Sequence, residues 1–196
     1  MDGLKLNIAF DLDGTLVRLM PVVERVIFKK YGAMVKPNER FHLETVPRLT
    51  NRQFALAFDE AYWQILDIKP VAFAQAFLRK LCGLTGEPIT IVTARPVSAA
   101  TPTLELIRHW FDVPVFLAMV GSHKDKLTYL SNFDYFVEDR RATARLLADA
   151  GKTVIVPICP YNAGMEGEAG VEYFLTFETL AQQVERFVKR PEGEGV

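Results

Sequence analysis

The sequence predicts an α/β protein in which a parallel sheet is wrapped by helices and a small helical cap is inserted near the amino end. Strand-like apolar segments alternate with helix-like segments over most of the chain, which is the pattern of strands joined by crossover helices. The stretch 18–82 differs, because it is helical in period and rich in aromatic residues. The length of 196 residues, 49% of them hydrophobic, suits one domain with a full core.

The elements of the sheet domain follow from apolar runs and helical spacing. The predicted strands cover residues 6–10, 89–93, 113–120, 135–137, 153–158 and 173–176. The predicted helices cover residues 99–110, 124–130, 142–150 and 180–188. These segments define a core domain of residues 1–17 and 83–190, followed by a flexible tail at 191–196.

The inserted stretch 18–82 is predicted as a helical cap with no convincing strand. Pro21 opens one helix, which runs to about residue 31. Thr50 or Asn51 caps a second helix that extends to about residue 65, and Pro70 opens a third that extends to about residue 81.

An aromatic stripe runs along the second cap helix. Phe54, Phe58 and Tyr62 are spaced by four and fall on one face, with Trp63 turned away from it. Such a stripe usually packs in a core. The alternative is a stacking surface for a planar substrate group, which requires the cap to close over a cleft in the sheet domain.

Composition limits the partners and the compartment. With 23 basic and 24 acidic residues the net charge is −1, so no global charge favours long nucleic acid or an anionic membrane. Cys82 and Cys159 are the only cysteines and have no metal-binding spacing, which suits a reducing compartment. The amino terminus lacks the features of a signal peptide and no apolar run approaches about 20 residues, so we expect a cytoplasmic location.

Asp11 and Asp13 directly follow the first predicted strand and are the residues around which the functional interpretation is built. Being two apart, they point the same way. Two carboxylates about 4 Å apart repel by about 4 kcal/mol at an effective dielectric of about 20, so a shared proton, a basic side chain or a divalent cation must offset them. Asp13-Gly14 is also a hairpin-turn signal. A calcium loop is excluded, because Leu16 and Val22 occupy its glycine and glutamate positions.

Other polar side chains stand at the carboxyl ends of predicted strands or ahead of one. In a parallel sheet these ends meet at one edge, where ligands bind. We therefore expect them to face one cleft. They are Asp11, Thr93, Lys124, Lys126, Glu138 and Asp139.

Two other hydrolytic chemistries lack support in the sequence. A cysteine phosphatase loop needs Arg six residues after its cysteine, where this chain has Pro88 and Met165. The three histidines, His42, His109 and His123, give no metal-binding spacing and no catalytic triad.

Four motifs resemble those of the haloacid dehalogenase-like superfamily: FDLDGTL (10–16), IVTARP (91–96), HKDK (123–126) and FVEDR (136–140). The resemblance implies a Rossmann-like three-layer core with an inserted cap. Within the superfamily, the TARP segment, the CPYN segment at 159–162 and the position of the cap resemble the 5'(3')-deoxyribonucleotidase-like phosphatases.

The resemblance implies phosphoryl transfer through an aspartyl-phosphate. Asp11 would be the nucleophile, and Asp13 would protonate the leaving oxygen and then activate water. Thr93 would donate a hydrogen bond to the phosphoryl group, and Lys124, preferred over Lys126, would stabilise its charge.

The resemblance also implies a Mg²⁺ site and a set of substrate contacts. Asp139 would complete the metal site with the Asp11 carboxylate and the Asp13 backbone carbonyl. Glu138 departs from the usual Asp of the nucleotidase-like relatives, and it would orient Lys124 or a metal-bound water. The expected substrate contacts are Thr93, Ala94, Arg95, Lys126, Phe58 and Trp63. For Arg95, phosphate binding and pairing with an acid at the sheet edge are both open, and Tyr161 and Asn162 form either a cleft-closing loop or a simple turn.

The sequence therefore predicts a Mg²⁺-dependent phosphomonoesterase acting on a (deoxy)nucleoside monophosphate or similar small phosphate ester, as a monomer or homodimer. Thr15 and Arg18 differ from the residues that nucleotidases often have there. Dehalogenation is disfavoured, because it needs neither Asp13 nor a metal. The alternatives are a polynucleotide 3'-phosphatase-like enzyme, which the Thr93-Ala94-Arg95 run also resembles, and a non-catalytic module that binds phosphorylated ligands.

Overall fold

The computed structural model describes residues 6–35, 49–129, 133–159, 161–162, 164–165 and 167–189. In chain order its strands are β1 (Ile8–Phe10), β2 (Val17–Arg18), β3 (Lys69–Pro70), β4 (Ile89–Thr93), β5 (Val115–Met119), β6 (Tyr135–Val137), β7 (Thr153–Pro157) and β8 (Val171–Phe174). Its helices are α1 (Met20–Tyr31), α2 (Asn51–Tyr62), α3 (Ala74–Thr85), α4 (Ala100–Trp110), α5 (Lys126–Tyr129), α6 (Arg141–Asp149) and α7 (Phe177–Lys189).

Within these residues, six strands form one parallel sheet in the order β5-β4-β1-β6-β7-β8. β1 is central, since Phe10 pairs with Ile91 of β4 on one side and with Val137 of β6 on the other. Its residues are buried throughout, as expected for a parallel strand covered on both faces. The α/β fold class predicted from the sequence is confirmed.

Helices cover both faces of this sheet. On one face, the ring of Phe77 in α3 lies 5.9 Å from that of Phe10 and 5.3 Å from that of Phe177 in α7. On the other face, Leu147 of α6 packs in a second apolar cluster with Val154 of β7. The result is a three-layer core.

The junction between sheet and cap differs from the sequence prediction. β2 and β3 form a short antiparallel ribbon, Val17 pairing with Pro70, where no strand was expected. Proline is tolerated there because a two-stranded ribbon leaves its missing N–H at an edge. The third cap helix therefore begins at residue 74 rather than 70, and as α3 it packs on the sheet. We propose the ribbon as the boundary between core and cap.

The remaining cap helices, α1 and α2, pack against each other through buried apolar side chains. Thr50 begins α2 with a capping box, in which Gln53 N donates to the Thr50 hydroxyl over 3.2 Å and Thr50 N donates to the Gln53 side chain over 2.8 Å. The helix ends at Tyr62 rather than near 65, because the amides of Trp63 and Gln64 turn back to carbonyls three residues earlier.

Other boundaries shift by a few residues. α5 is a single short turn beginning at residue 126, and α7 begins at residue 177, three residues before its predicted start. The predicted tail at 191–196, His42 and the predicted helix end at residue 130 lie outside the described residues. Among the helices that are described, none combines the length and apolar character needed to cross a membrane.

Candidate active site

A cavity of about 310 Å³ lies between the cap and the carboxyl ends of β1, β4 and β6. The parallel register explains its position, because three neighbouring strands end at the same edge of the sheet. The cap contributes residues from α1, α2 and the turn before α1. The walls are formed by Asp11, Asp13, Leu19, Met20, Phe58, Tyr62, Thr93, Ala94, Arg95, His123, Asp139 and Arg140.

Asp11 follows β1 and is held by Lys126, whose Nζ lies 2.5 Å from its Oδ1. The same ammonium donates to Oε2 of Glu138 over 2.7 Å, and all three side chains are buried. Burial raises the pKa of Asp11 to about 7 against the opposing charge of Lys126, and the carboxylates of Glu138 and Asp13 add to the rise. For Lys126, burial lowers the pKa, but the two carboxylates outweigh burial and raise it. The rise at Lys126 thus reflects the two carboxylates that share its ammonium group.

Lys124 does not occupy the position expected for the catalytic lysine. Its side chain is exposed and lies outside the cavity wall. A turn in which Ser122 Oγ donates to Asp125 over 2.7 Å precedes α5, and Lys126, at the start of that helix, is the lysine directed inward. The geometry therefore favours Lys126 over Lys124. Lys126 stands behind Asp11 rather than in the wall, so its first partner is the nucleophile candidate.

Glu138 contacts this lysine as well as the backbone of its own loop. Its Oε1 accepts from the Arg140 amide over 3.0 Å, while Oε2 accepts from Lys126. Of the two roles expected for Glu138, the structure supports the one in which it orients a lysine. That lysine is Lys126 rather than Lys124.

Asp139 is fixed by several contacts from the loop after β7. Its Oδ2 accepts from the Tyr161 hydroxyl over 2.8 Å, and Asn162 Nδ2 donates to its backbone carbonyl over 3.1 Å. Gly14 approaches so closely that a Cβ built there would lie 1.9 Å from Oδ2 of Asp139, and its φ of 91° also favours glycine. The loop of the first motif thus packs directly on the acidic residue of the last.

The residues present fit a hard divalent cation. Asp11, Glu138 and Asp139 each offer a carboxylate oxygen, and these oxygens lie within 4.8 Å of one another. Burial raises the pKa of Asp139 well above its usual range, and Asp11 and Glu138 add to the rise. An all-oxygen donor set with excess negative charge suits Mg²⁺. The expected contribution of the Asp13 backbone carbonyl to this site stays a prediction.

The Asp13 side chain is held by Arg95. Arg95 Nε donates to Oδ2 over 2.7 Å and Nη2 donates to Oδ1 over 2.6 Å. Of the two alternatives left open for Arg95, the structure has pairing with an acid rather than a free phosphate-binding group. Thr93, at the end of β4, accepts from the Arg95 amide over 3.2 Å and lines the cavity beside Ala94. Because a hydroxyl can donate while it accepts, Thr93 can still bind a ligand oxygen.

Phe58 and Trp63, the two aromatic residues expected to contact substrate, lie in different places. Phe58 lies in the cavity wall, whereas Trp63 is 60% exposed and lies outside it. The placement of Trp63 has a helical reason: α2 ends just before it, and the side chain one position after Tyr62 points about 100° away.

The sequence interpretation missed several residues that line or support the cavity. Tyr62 was considered only as part of the aromatic stripe, and its helical spacing from Phe58 was the signal that could have placed it in the cavity wall. His123 was considered only as a metal or triad residue; burial, together with Arg140 and Lys126, lowers its pKa to about 3, so it is neutral in the folded protein at neutral pH. For Tyr161 a cleft-closing loop and a simple turn were both open, and its hydroxyl contacts Asp139.

A scan of protein-family models found no match to this chain, and a search of curated proteins found none either.

Solved structures do resemble it. A haloacid dehalogenase-like family hydrolase from Streptococcus pneumoniae is 17% identical over 93% of this chain and 100% of its own, with a TM-score of 0.62. A predicted phosphoglycolate phosphatase from Haemophilus somnus is 20% identical over 94% and 99%, with a TM-score of 0.62. CbbY from Rhodobacter sphaeroides, solved with phosphate, is 16% identical over 90% and 96%, with a TM-score of 0.59.

These likenesses at low identity show the fold. The chain has the α/β fold of haloacid dehalogenase-like hydrolases, in agreement with the motifs. The finer likeness to the deoxyribonucleotidase-like phosphatases stays a prediction.

Proposed function

We propose that this protein is a Mg²⁺-dependent phosphomonoesterase that acts on a small phosphate ester through an aspartyl-phosphate. One observation carries the proposal: the Asp11 carboxylate stands at the end of the central strand, held by a buried lysine, in a cavity shared with Asp13, Thr93 and Asp139. The fold shared with phosphatases supports it.

The first step divides the work between two carboxyl groups. Lys126 holds Oδ1 of Asp11, which leaves Oδ2 to form a bond to phosphorus while the bond from phosphorus to the leaving oxygen breaks. Asp13 gives its proton to that leaving oxygen. Thr93 donates a hydrogen bond to a phosphoryl oxygen at the cavity wall.

The second step regenerates the enzyme. Asp13, now a carboxylate, takes a proton from the water that attacks phosphorus, and the bond between phosphorus and Asp11 breaks. Inorganic phosphate leaves, and Asp13 is again protonated. Lys126 stabilises the returning negative charge on Asp11.

Asp11, Asp139 and the Asp13 backbone carbonyl would hold Mg²⁺, Glu138 would hold Lys126 beside them, and Tyr161 would keep the Asp139 carboxylate oriented. When bound, Mg²⁺ supplies positive charge next to the phosphoryl oxygens. The clustering of carboxylate oxygens within 4.8 Å of one another supports this assignment, since a divalent cation would offset their mutual repulsion.

For the substrate, we propose a (deoxy)nucleoside monophosphate or a phosphate ester of similar size. Phe58 supports it, because its ring lies in the cavity wall on the cap side, where a planar base could stack. Tyr62 contributes less to such stacking, because its ring already faces the Arg95 guanidinium. The roof formed by α2 argues against a polynucleotide 3'-end.

Turnover of p-nitrophenyl phosphate and a panel of small phosphate esters, with Mg²⁺ or with chelator, tests the proposal. We expect hydrolysis by the wild type, loss with chelator, and loss in Asp11→Asn. Asp149→Asn, at an exposed position on α6, is the matched control and should keep wild-type rates. Phosphate-ester binding by the wild type without turnover on any ester would instead support the non-catalytic module.

A further inference from the structure

Arg95 is a buried arginine whose three guanidinium nitrogens all have partners. Nε and Nη2 donate to the two carboxylate oxygens of Asp13, and Nη1 donates to the Thr103 hydroxyl over 3.1 Å. Thr103 in turn donates to the Ala99 carbonyl over 2.7 Å, which fixes the hydroxyl that receives Arg95. These bonds engage three of the five N–H groups of the guanidinium and hold it in place.

The pair is asymmetric in its access to the cavity. The Arg95 side chain is 1% exposed, whereas that of Asp13 is 23% exposed. Both residues line the cavity, but Arg95 is the enclosed partner, and Asp13 presents the larger exposed surface there. A two-bond contact between a planar guanidinium and a planar carboxylate fixes the orientation of the carboxylate as well as its position.

The cap reaches the same guanidinium through Tyr62. The centre of the Arg95 guanidinium lies 4.6 Å from the centroid of the Tyr62 ring, and Tyr62 is buried near the end of α2. A cation over an aromatic face is attracted to it, most strongly where water is excluded. The Asp13–Arg95 pair is thus joined to the sheet domain by Thr103 and to the cap by Tyr62.

We propose that Arg95 is the positioning residue of Asp13, and that Tyr62 makes this positioning depend on the cap. The inference rests on the proposed function, in which Asp13 moves the proton. The two bonds from Arg95 fix the direction in which the Asp13 carboxyl group faces the cavity.

This role makes a leaving-group prediction. An acidic phenol departs as a stable anion and gains little from a proton donor, whereas a weakly acidic alcohol gains much. Loss of Arg95 should therefore lower kcat/KM modestly for phosphates of acidic phenols and strongly for phosphates of weakly acidic ones. A residue that only binds the phosphate, or only supports the fold, would lower kcat/KM equally for all.

The experiment measures kcat/KM for a series of substituted phenyl phosphates in the Mg²⁺-loaded enzyme. For Arg95→Met we expect a loss of about tenfold at the acidic end and about a hundredfold or more at the other. Tyr62→Leu should steepen the leaving-group dependence in the same sense but less, and Tyr62→Phe, which keeps the ring, should steepen it less than Tyr62→Leu does. Arg79→Met is the control, because Arg79 also pairs with a carboxylate at an exposed site, where its Nε donates to both oxygens of Asp112.

Two further measurements keep the proposal falsifiable. In an Asp13→Asn background, Arg95→Met should add little further loss, since its partner is already gone. If Arg95→Met fails to fold, Arg95→Lys, which keeps the charge without the fork, should still steepen the leaving-group dependence. An equal loss on every substrate, with weaker inhibition by inorganic phosphate, would overturn the positioning role and leave the phosphatase function standing. Absence of wild-type turnover would overturn both.

Discussion

Lys126 lies 2.5 Å from Oδ1 of Asp11, although Asp11 ends a strand and Lys126 begins a helix 115 residues later. The contact is buried and includes Glu138, so one ammonium serves two carboxylates. An ammonium in this position offsets the charge that must be present for Asp11 to attack phosphorus. Its neighbour Lys124 is exposed and can offset none of it.

Lys126→Met should therefore lower kcat/KM for p-nitrophenyl phosphate by about a hundredfold or more, because a buried charge donor at a reacting group is lost. Lys124→Met should stay within about twofold, in line with small effects of exposed charges. Steady-state kinetics on both variants checks this. A larger loss in Lys124→Met than in Lys126→Met would return the role to Lys124.

Asp139→Asn should stabilise the protein in the absence of divalent cations, because it removes one of three clustered buried carboxylates. The free energy of unfolding should rise by about 1–2 kcal/mol, after allowing for partial loss of the hydrogen bond from Tyr161. For a chain of this size, each kcal/mol corresponds to about 2–4 °C in Tm. Mg²⁺ should raise the Tm of wild type and have much less effect on the variant.

Thermal unfolding with and without Mg²⁺ measures both effects, with Asp149→Asn as the control that keeps the wild-type response. A variant that still gains stability from Mg²⁺ like wild type would show that Asp139 is not a ligand.

Gly14→Ala should destabilise the protein and abolish its response to Mg²⁺, since the added Cβ would meet Oδ2 of Asp139 at 1.9 Å. The matched control is Gly86→Ala, because Gly86 also has a positive φ, of 70°, but no atom lies within 4 Å of a Cβ there. Gly86→Ala should cost about 1 kcal/mol of backbone strain, and Gly14→Ala more.

Urea unfolding and the Mg²⁺-induced shift in Tm distinguish the two glycine variants. Equal losses of stability in both, with the Mg²⁺ response intact in Gly14→Ala, would mean that the clash with Asp139 relaxes without consequence.

His123 should make the free energy of unfolding fall with falling pH. Its pKa is lowered to about 3 in the folded protein, whereas an unfolded histidine titrates near about 6.5. Between these values the unfolded chain binds more protons at this residue, so stability falls as the pH falls through that window. The contribution to the slope is at most about 1.4 kcal/mol per pH unit.

His123→Gln should reduce this slope, as measured by urea unfolding between pH 7 and pH 5. His109→Gln, at an exposed position on α4, serves as the comparison. Identical slopes in wild type and His123→Gln would rule out the neutral, half-buried histidine as a source of acid sensitivity.

Phe58→Ala should raise KM for nucleoside monophosphates by about tenfold if a base stacks on its ring. KM for a small aliphatic phosphate should change within about twofold, because such a substrate does not reach the cap side of the cavity. Trp63→Ala is the control, since Trp63 is exposed and outside the cavity. Equal changes for both substrates in Phe58→Ala would reject base stacking and leave the substrate among other small phosphate esters.

The fold class could be predicted because each of its signals is local. The short, mostly apolar run at residues 6–10, which ends in two aspartates and a glycine, is typical of a buried strand, and alternation with helical segments indicates a parallel sheet. The β2–β3 ribbon was missed because two-residue strands carry no periodicity. α3 was assigned to the cap because its amphipathic face does not reveal which layer it covers.

The candidate site divides in the same way. That Asp11, Thr93 and Asp139 meet at one edge follows from their positions at strand ends, which the sequence determined by itself. Which lysine turns inward, where Arg95 points and which cap aromatic faces the cavity were decided only by the tertiary structure. Each of these depends on a few degrees of backbone rotation in a turn or at a helix end, and only packing against distant residues sets that rotation.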